Sequence, residues 1–549
     1  MMAALGIRRG ASAMRLTAAT AVLYLILALP NHPAALAWDL LLVFPLELPA
    51  IAILLAVLPT QRPATRFVRW SVIVFLTLMT IIKLADFATF STYNRGFNPL
   101  VDMHLIPAAW HLASGSVGAI GAALAVVATA LVLACLVWSL WWATGQVTRL
   151  NLPPKWRRIG SMAVLLFAVV ALVEIGHAMR TWTLPFDVPG AAFTARVAAE
   201  RVDMLAETSA RLRDFRVAAE NDPFGDTAPV LDEIGDRDVL FTYVESYGGS
   251  SLTNPRYAPT HLATLETIEA SLQARGLSMR SGWLEAPIIG GQSWLSHATL
   301  ALGLWIPDQR TYGAALVSGR KSLFHLAQEN GFETVAVMPA ITMDWPEAEF
   351  MGFDRILTAS SLGYAGRPFN WVTMPDQFTL AALDRLVRVR DAARRPVFAQ
   401  IALISSHAPW TPVPELVAWE DVGDGTVFDA VAQSGDPPEV VWRDRDRVRD
   451  QFRQAVDYSL RTVGDYAARF ADDPPLMIVL GDHPPALFVS EDEGMTVPIH
   501  VIGPANLVEL FVDWGWSPGM VPQEDAPAIR MDAFRNRLLE TFSSASVSP

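Results

Sequence analysis

The chain has 549 residues, of which 52% are hydrophobic and only 18% are charged, so part of it is predicted to lie in a membrane. Its charge is divided unevenly: residues 1–180 carry a net charge of +8 (13 Lys and Arg against 5 Asp and Glu), and the remainder carries −21 (29 against 50). A domain with a net charge of −21 would repel the phosphate backbone, so nucleic acid is excluded as a partner.

The first 180 residues are predicted to form a transmembrane domain of about five helices. They contain five apolar runs, most of which reach the ~20 residues that a helix needs to cross a bilayer. Arginine and lysine precede the first run and separate the second from the third and the fourth from the fifth, which places these three segments in the cytoplasm. Five crossings then leave the C-terminal half outside. The runs are residues 16–30, 39–58, 67–90, 116–142 and 159–178.

The part of the chain before residue 237 has three further features. Ala35-Leu36-Ala37 resembles a signal-peptide cleavage site, and cleavage there would remove one span but leave the C-terminal half on the same side. Lys83 and Asp86 are interpreted as a pair whose charged groups reach the membrane interface. Residues 181–236 are predicted to be a juxtamembrane connector with a helix at 194–220.

Residues 237–549 are predicted to form an α/β domain. Strand-like and helix-like runs alternate there, which indicates a mainly parallel sheet between helices. An acidic stretch rich in glycine and proline, 412–442, is interpreted as a surface insertion. Strands are predicted at 238–244, 332–338, 396–404, 476–480 and 497–502. Helices are predicted at 260–275, 293–302, 321–330, 376–392, 444–470 and 531–542.

Side chains that bind metals follow three of the predicted strands. Glu245 follows the first strand, and His407 follows the third. Asp482 and His483 follow the fourth. Because open α/β sheets place their ligands at the carboxyl ends of the strands, we expect these side chains to lie close together. Two carboxylates and two imidazoles suit one divalent ion, either manganese or zinc, with magnesium as an alternative.

A serine at the start of a predicted helix is the candidate nucleophile. Gly290 and Gly291 permit a tight turn, and Ser293 begins the helix at 293–302. A serine in this position is often only an N-cap. The positive end of a helix and a neighbouring cation would instead stabilise its alkoxide form. Ser296 and Thr299 are the competing hydroxyl groups, and Ser293 is favoured over both.

Four segments, taken in order, resemble the sulfatase-like branch of the alkaline phosphatase superfamily. They are Val-Glu-Ser-Tyr-Gly at 244–248, Gly-Gln-Ser-Trp-Leu-Ser-His at 291–297, Ser-Ser-His-Ala-Pro-Trp at 405–410 and Leu-Gly-Asp-His at 480–483. The chain is most similar in layout to the membrane transferases of that branch, such as the lipoteichoic acid synthases and the periplasmic-glucan phosphoglycerol transferases. Those proteins have membrane spans followed by an extracytoplasmic sulfatase-like domain.

The resemblance implies roles for individual residues. One divalent metal ion would be held by four of them, and His407 would contact the phosphate of the substrate. The four implied metal ligands are Glu245, Ser293, Asp482 and His483.

Trp345 looks like the tryptophan that binds the head group in this family. The chain departs from the family pattern in two places. The family nucleophile is usually threonine, whereas here it is Ser293, and the sequence that follows it lacks the proline and arginine of true sulfatases. Pro346 and Glu347 stand where an arginine is expected.

These observations predict an extracytoplasmic phosphotransferase anchored in the plasma (inner) membrane, with its N-terminus in the cytoplasm and its catalytic domain in the periplasm. Ser293 would attack the phosphodiester of a phospholipid, release diacylglycerol, and pass phosphoglycerol or a similar head group to a glycan or lipid acceptor through a phospho-serine. One alternative is a hydrolase of phosphate or sulfate esters. A second is a membrane protein with a binding or regulatory role and no catalysis.

Overall fold

The computed structural model of the chain describes residues 2–35, 43–59, 62–93, 96–99, 102–150, 152–186, 188, 190–225, 229–343, 345–389 and 394–544. The chain falls into two units, residues 1–210 and residues 211–549, and each is described by itself. The three-part division at residues 180 and 236 that the sequence predicts stays a prediction.

The first unit is built from helices. Three stretches in its described part are long and apolar enough to cross a membrane: Pro63–Ser91, Gly118–Thr148 and Pro154–Ala178. Two shorter apolar helices, Ser12–Ala28 and Glu47–Val57, overlap the first and second predicted runs. The number of five spans therefore stays a prediction. Two residues of the candidate cleavage site, at positions 36 and 37, lie outside the described residues.

Each of the five apolar runs overlaps one helix of this unit, although α1 and α4 begin well before their runs. A helix satisfies its own backbone groups in hydrocarbon, which suits such runs. The connector helix predicted at 194–220 is observed as well. One helix, the fourth, is interrupted at Gly118, where φ is 77°. The helices are α1 (Met2–Ala28), α2 (Glu47–Val57), α3 (Pro63–Tyr93), α4 (Leu105–Thr148), α5 (Pro154–Ala178) and α6 (Phe193–Glu220).

Lys83 and Asp86 are both fully buried in the first unit, so their interpretation as an interfacial pair is wrong. Lys83 Nζ donates hydrogen bonds to the carbonyl of Leu27 at 3.0 Å and to Thr194 Oγ1 at 2.8 Å. Asp86 accepts hydrogen bonds from Arg201 at both carboxylate oxygens. Because a buried charge requires a partner, these bonds fasten the start of α6 to α1 and α3.

The second unit is an α/β domain around a nine-stranded sheet, and the predicted fold class is confirmed. Five neighbouring strands run parallel in the order β4-β3-β5-β1-β6. The order continues β7-β2-β8, in antiparallel pairs, and β9 pairs with β2. The strands are β1 (Val239–Val244), β2 (Ser278–Glu285), β3 (Glu333–Met338), β4 (Arg355–Thr358), β5 (Val397–Leu403), β6 (Leu476–Gly481), β7 (Thr496–Gly503), β8 (Ser517–Pro518) and β9 (Ile529–Arg530).

The five predicted strands are observed as β1, β3, β5, β6 and β7. The sequence did not predict β2, because Arg280, Ser281 and Gly282 interrupt its apolar pattern. It did not predict β4 either, because that strand has only four residues and lies at the edge of the sheet. A strand that is buried on both faces reads as a continuous apolar run, and neither β2 nor β4 has such a run.

Helices cover both faces of the sheet. Side chains alternate along β1, so Leu240 and Val244 belong to the hydrophobic cluster on one face. Phe241 and Tyr243 belong to the cluster on the other face, which includes the helix at 293–302. All six predicted helices are observed, although one ends early, at Leu386. The helices are α7 (Ser250–Thr253), α8 (Ala258–Gln273), α9 (Ser293–Leu302), α10 (Gln309–Leu316), α11 (Leu323–Glu329), α12 (Asp376–Leu386), α13 (Asp429–Ala432), α14 (Pro438–Val441), α15 (Arg445–Arg469), α16 (Leu487–Ser490), α17 (Ala505–Val508) and α18 (Phe534–Phe542).

The stretch 412–442 is more than a surface insertion. Val422, Phe428 and Val441 are each at most 2% exposed and form part of the hydrophobic cluster that includes Leu240. The rest of the stretch is mostly exposed or half-buried, as a surface insertion would be. Its glycines and acidic residues lie between the few side chains that anchor it to the core.

Candidate active site

Four of the residues predicted from the sequence form one cluster. Ser293 Oγ donates a hydrogen bond to Glu245 Oε2 at 3.1 Å and lies 3.3 Å from His483 Nε2. His483 Nε2 lies 3.4 Å from Glu245 Oε1 and 3.7 Å from Asp482 Oδ2. Asp482 and His483 are only 1% exposed, whereas Ser293 is partly exposed. The hydroxyl group therefore lies on the accessible side of a buried group of ligands.

The register of the sheet brings the two carboxylates together. Val244, the last residue of β1, pairs with Gly481, the last residue of β6. The residues that follow, Glu245 and Asp482, therefore leave the sheet side by side. Asp482 Oδ1 accepts hydrogen bonds from the backbone N–H groups of Ser246 at 2.8 Å and His483 at 2.7 Å.

Those two bonds leave Asp482 Oδ2 directed at the imidazole of His483. The sequence did not identify Ser246 as part of the site. Its contribution is a backbone N–H group, and such a group is available at any residue except proline.

The carbonyl of Pro484 fixes the orientation of His483. It accepts a hydrogen bond from His483 Nδ1 at 2.9 Å and another from the N–H of Gly290 at 2.9 Å. A carbonyl oxygen can only accept, so the Nδ1 atom carries a proton and the Nε2 lone pair is free for a cation when the ring is neutral. The same carbonyl joins the loop after β6 to the turn that precedes α9, which sets the distance between His483 and Ser293.

The turn before α9 has an unusual backbone conformation. Gly290, Gly291 and Gln292 have φ values of 75°, 137° and 66°, all in the left-handed region. The two glycines adopt such values without strain, which explains why the turn contains them. Ser293 is the first residue of α9. In the first turn of α9 the N–H group of Leu295 already donates to the carbonyl of Gln292 at 2.9 Å. The N–H groups of Ser293 and Trp294 precede it and have no acceptor within the helix, so they are available to an anion beside the hydroxyl group.

The charges of the cluster shift one another's protonation. Burial raises the pKa of Asp482, and the negative charge of Glu245 adds to the effect, so that the pKa reaches about 7. Burial alone lowers the pKa of His483, but Asp482 and Glu245 outweigh it and raise the pKa to about 9. Burial also raises the pKa of Glu245, but His483 and His407 outweigh it and hold the pKa below its usual range. The two carboxylates therefore favour a positive charge at His483 Nε2, which a proton or a divalent cation supplies.

The donor set fits a divalent cation. One ligand atom from each of Glu245, Asp482 and His483 lies within 4.8 Å of the other two. The pairwise distances of 3.1 to 3.7 Å within the Ser293 cluster are close to the ~3.4 Å that separates two ligands about 2.1 Å from a tetrahedral ion. Two carboxylates, one imidazole and one hydroxyl group are ligands that zinc and manganese accept.

His407 lies near this cluster on the loop that follows β5. Its imidazole is close enough to lower the pKa of Glu245. The neighbouring Ser406 Oγ donates a hydrogen bond to the carbonyl of Glu245 at 2.6 Å. Asp376 Oδ1 accepts a hydrogen bond from the N–H of Ser405 at 2.8 Å. Since Asp376 is buried at the start of α12, the loop is held by the body of the domain as well as by β1.

Trp345 has a different environment. It precedes the short 3-10 helix Pro346–Met351, and its ring centroid lies 6.3 Å from that of Phe353. Within the residues that the structure describes, no hydrogen bond, ion pair or ring contact joins Trp345 to the Ser293 cluster. Its neighbour Asp344 lies outside those residues. A role for Trp345 in binding the head group stays a proposal.

Residues 308–508 match the Sulfatase family. This part of the chain is a sulfatase-family domain. This match confirms the predicted resemblance, and two of the four segments that carry it, 405–410 and 480–483, lie inside the matched range. His407, Asp482 and His483 lie inside the matched range, whereas Glu245 and Ser293 precede it.

Several solved structures resemble the chain. They include the lipoteichoic acid synthase LtaP from Listeria monocytogenes (14% identity, 50% of this chain and 68% of that chain, TM-score 0.34). The phosphoglycerol transferase GacH from Streptococcus pyogenes, in complex with sn-glycerol-1-phosphate, is another (14%, 62% and 83%, 0.37). A third is the periplasmic domain of EcEptC from Escherichia coli, in complex with zinc (14%, 50% and 74%, 0.33). No curated protein matches the sequence. These likenesses carry no argument about activity.

One more histidine, His297, is buried close to the site and was not among the residues predicted from the sequence. His297 is on α9, four residues after Ser293, and therefore on the same side of the helix. Its ring centroid lies 4.0 Å from that of Tyr243, and its Nδ1 atom lies 3.5 Å from Gln400 Nε2. Burial lowers its pKa to about 3, so the ring is neutral. Its Nε2 atom has no hydrogen-bond partner among the described residues.

Proposed function

We propose that the protein is a metal-dependent phosphotransferase of the cell envelope. It would move a phospholipid head group, phosphoglycerol or a similar one, to an extracytoplasmic glycan or lipid acceptor. The observation that carries this proposal is the position of Ser293 Oγ, which is bonded to Glu245 at 3.1 Å and lies 3.3 Å from His483 at the start of α9. A hydroxyl group among cation ligands and at a helix N-terminus is suited to attack phosphorus.

The proposed reaction has two steps, each of which forms one bond to phosphorus and breaks another. In the first, Ser293 Oγ forms a bond to the phosphorus of the donor lipid, and the bond from phosphorus to the glycerol oxygen of diacylglycerol breaks. The serine proton is lost to solvent, because Ser293 is partly exposed. The Glu245 carboxylate, whose pKa is held below its usual range, orients the hydroxyl group through its hydrogen bond. In the second step, the oxygen of an acceptor hydroxyl group forms a bond to phosphorus, and its proton passes to His407, which gave up a proton in the first step. The bond from phosphorus to Ser293 Oγ breaks, and the serine oxygen takes a proton from solvent. Each step is a displacement at phosphorus, with no change of oxidation state.

Other residues assist both steps. The imidazole of His407 protonates the leaving oxygen of diacylglycerol, or stabilises charge on the phosphoryl oxygens. The N–H groups of the first turn of α9 contact those same oxygens. Trp345 is the residue proposed to contact the head group. The donor and the acceptor would both be found outside the cytoplasm, with the apolar helices of the first unit holding the chain in the plasma (inner) membrane.

Glu245, Ser293, Asp482 and His483 would hold one divalent ion, either zinc or manganese, with magnesium as the alternative. Such an ion lowers the pKa of a coordinated hydroxyl group and offsets negative charge at phosphorus. Within the protein, Pro484 keeps the Nε2 atom of His483 available, and Ser246 keeps Asp482 oriented.

Mass spectrometry of the Ser293 peptide tests the proposal. The full chain is incubated with phosphatidylglycerol or phosphatidylethanolamine in the absence of acceptor, then digested. The expected result is one adduct on Ser293 with the mass of the transferred group, together with release of diacylglycerol. The Ser293→Ala chain serves as the control and should show neither. Release of diacylglycerol without any adduct would overturn the covalent route and would favour hydrolysis by water.

A further inference from the structure

A basic cavity lies in the first unit between the start of α3 and the end of α4. Its volume is about 180 Å³, which is room for about six water molecules at ~30 Å³ each. Three arginines line it, Arg66, Arg69 and Arg149, together with Trp141 and Trp142, and no acidic residue is among its lining residues. Two of the segments that the sequence predicts to be cytoplasmic from their basic residues meet at this cavity.

Arg69 is held in place by α4. Its Nε atom donates a hydrogen bond to Oγ1 of the fully buried Thr144 at 3.0 Å, and one terminal nitrogen donates to the carbonyl of Trp141. The guanidinium lies 5.0 Å from the ring centroid of Trp141. Gly145 leaves the necessary space, because a Cβ atom there would lie 2.8 Å from an Arg69 nitrogen. The remaining N–H groups of Arg69 are therefore fixed in direction before any ligand binds.

The three arginines face no carboxylate among the residues that the structure describes. In the part of the chain that the structure describes, no carboxylate lies within ion-pair distance of Arg66, Arg69 or Arg149. Three like charges around one small cavity repel one another, and an anion among them removes that repulsion. One guanidinium group can donate two parallel hydrogen bonds to two oxygens of the same phosphate. Phosphate is therefore the anion that this arrangement suits best.

An apolar groove continues from the cavity along α4. Its lining includes Trp70, Leu133, Val137 and Trp138, and it shares Trp141 with the cavity. Residues at spacings of three and four lie on one face of a helix, so the groove and the cavity form one continuous strip on α4. A hydrated free anion would make no favourable contact with an apolar groove. A lipid, by contrast, has an acyl chain beside its phosphate, and that chain can occupy the groove. Tryptophan is also the side chain typical of the membrane interface.

We propose that the cavity and the groove together bind one anionic phospholipid. Its phosphate lies among Arg66, Arg69 and Arg149, and an acyl chain lies along Trp138 and Val137. The site is on the side of the membrane that the basic residues predict to be cytoplasmic, where anionic lipids bind basic pockets between helices. It belongs to the first unit, whereas the Ser293 cluster belongs to the second, so this inference is independent of the proposed function.

Lipid binding to the purified full chain tests this site. Native mass spectrometry counts the lipid molecules that remain bound to each chain. Dioleoyl phosphatidic acid, which has a phosphate without a further head group, is compared with dioleoyl phosphatidylcholine. We expect one retained phosphatidic acid per chain, and at least a tenfold loss of its affinity in the double variant R66Q/R149Q. G145A should also weaken binding, because the added methyl group displaces Arg69. R158Q is the matched control, since Arg158 is exposed, carries the same charge and does not line the cavity.

Three outcomes would overturn the assignment. One is equal retention of the two lipids by the unmodified chain. Another is a loss of affinity in R158Q as large as that in R66Q/R149Q, because binding would then follow overall charge. The third is displacement of phosphatidic acid by inorganic phosphate at equal concentration, which would make the cavity a site for a free anion. Elution volumes in size-exclusion chromatography verify that each variant is folded.

Discussion

Ser293 Oγ and Glu245 Oε2 are hydrogen-bonded at 3.1 Å although the two residues lie 48 positions apart in the chain. The carboxylate orients the hydroxyl group through this bond. This pair distinguishes Ser293 from the other hydroxyl groups of α9. Ser296 Oγ is buried and has no partner among the described residues, and Thr299 Oγ1 donates back to the carbonyl of Leu295.

Ser293→Ala should abolish head-group transfer and leave metal content and fold intact. Alanine removes the attacking oxygen but only one ligand, whose place water can take. Ser293→Thr should keep part of the activity, because its hydroxyl group survives. Ser296→Ala is the matched control in the same helix and should transfer at a rate within about twofold of the unmodified chain. Diacylglycerol release and elemental analysis are the measurements, and full activity in Ser293→Ala would contradict the mechanism.

Asp482→Asn should lose the divalent ion while the fold survives. The asparagine Oδ1 atom can still accept the N–H groups of Ser246 and His483, so the loop geometry is kept. The charge of the ligand is lost, and the amide nitrogen is a poor ligand. Elemental analysis of the purified variant should show far less than one ion per chain, with an unchanged thermal midpoint for the metal-free forms. One full equivalent of metal in Asp482→Asn would mean that the ion is bound elsewhere.

Gly481→Ala should disrupt the site through the backbone. A Cβ atom at this last residue of β6 would lie 1.9 Å from the carbonyl oxygen of Tyr247, so the strand end must move. We expect a loss of about 3 kcal/mol in stability and a loss of bound metal. Gly313→Ala in α10 is the control, because nothing lies within 4 Å of its added Cβ atom. It should be neutral or stabilising by about 0.5–1 kcal/mol. Equal midpoints of thermal unfolding for the two variants would refute this expectation.

Acid should destabilise the second unit through His500. Ser281 Oγ lies 2.8 Å from His500 Nδ1 and donates its own proton to the carbonyl of Gly519. The serine oxygen must therefore accept a hydrogen bond from the imidazole, so Nδ1 carries the proton. The hydroxyl group of Tyr247 then donates to Nε2 at 3.1 Å, so the neutral ring has partners for both nitrogens. Burial lowers the pKa of His500 to about 3.

The sign of the effect follows from this lowered pKa. As the pH falls from about 6.5 towards 3, His500 is protonated in the unfolded chain but stays neutral in the folded chain. The free energy of unfolding therefore decreases across this range. The thermal midpoint between pH 7 and pH 4 is the measurement. His500→Gln should show a shallower decrease than the unmodified chain, and parallel slopes for the two would rule out His500 as a cause.

The chain N-terminus should be cytoplasmic, and residues from about 230 onward should lie outside. Arginines and lysines flank alternate apolar runs in the first 180 residues, and the membrane potential and the insertion machinery retain such segments inside. An alkaline phosphatase fused to the C-terminus should therefore be active, and a fluorescent protein that matures only in the cytoplasm should be dark. The reverse pattern would refute the topology and the proposed compartment together.

The sequence was informative where chemistry follows a strand directly. Glu245 and Asp482 could be predicted because apolar runs end immediately before them, and parallel strands share one edge. The orientation of these ligands could not be predicted, because it depends on the carbonyl of Pro484 and the N–H of Ser246, which are backbone groups. His297 was not identified because a histidine within an apolar helix usually belongs to the core. The anchoring of the stretch 412–442 could not be predicted, because its three buried side chains weigh little in its composition.

The loop that carries His407 takes its main support from outside the ligand cluster. The Asp376 carboxylate accepts hydrogen bonds from the N–H of Ser405 and, at 2.6 Å, from Ser459 Oγ on α15. Chelation should therefore empty the cluster without releasing His407. A chelated crystal would then retain the imidazole that is proposed to contact phosphate, next to a serine without its proposed activating ion. Soaking such crystals with donor lipid offers a way to capture the intact phosphodiester before cleavage, and returning the metal would start the reaction synchronously for time-resolved diffraction.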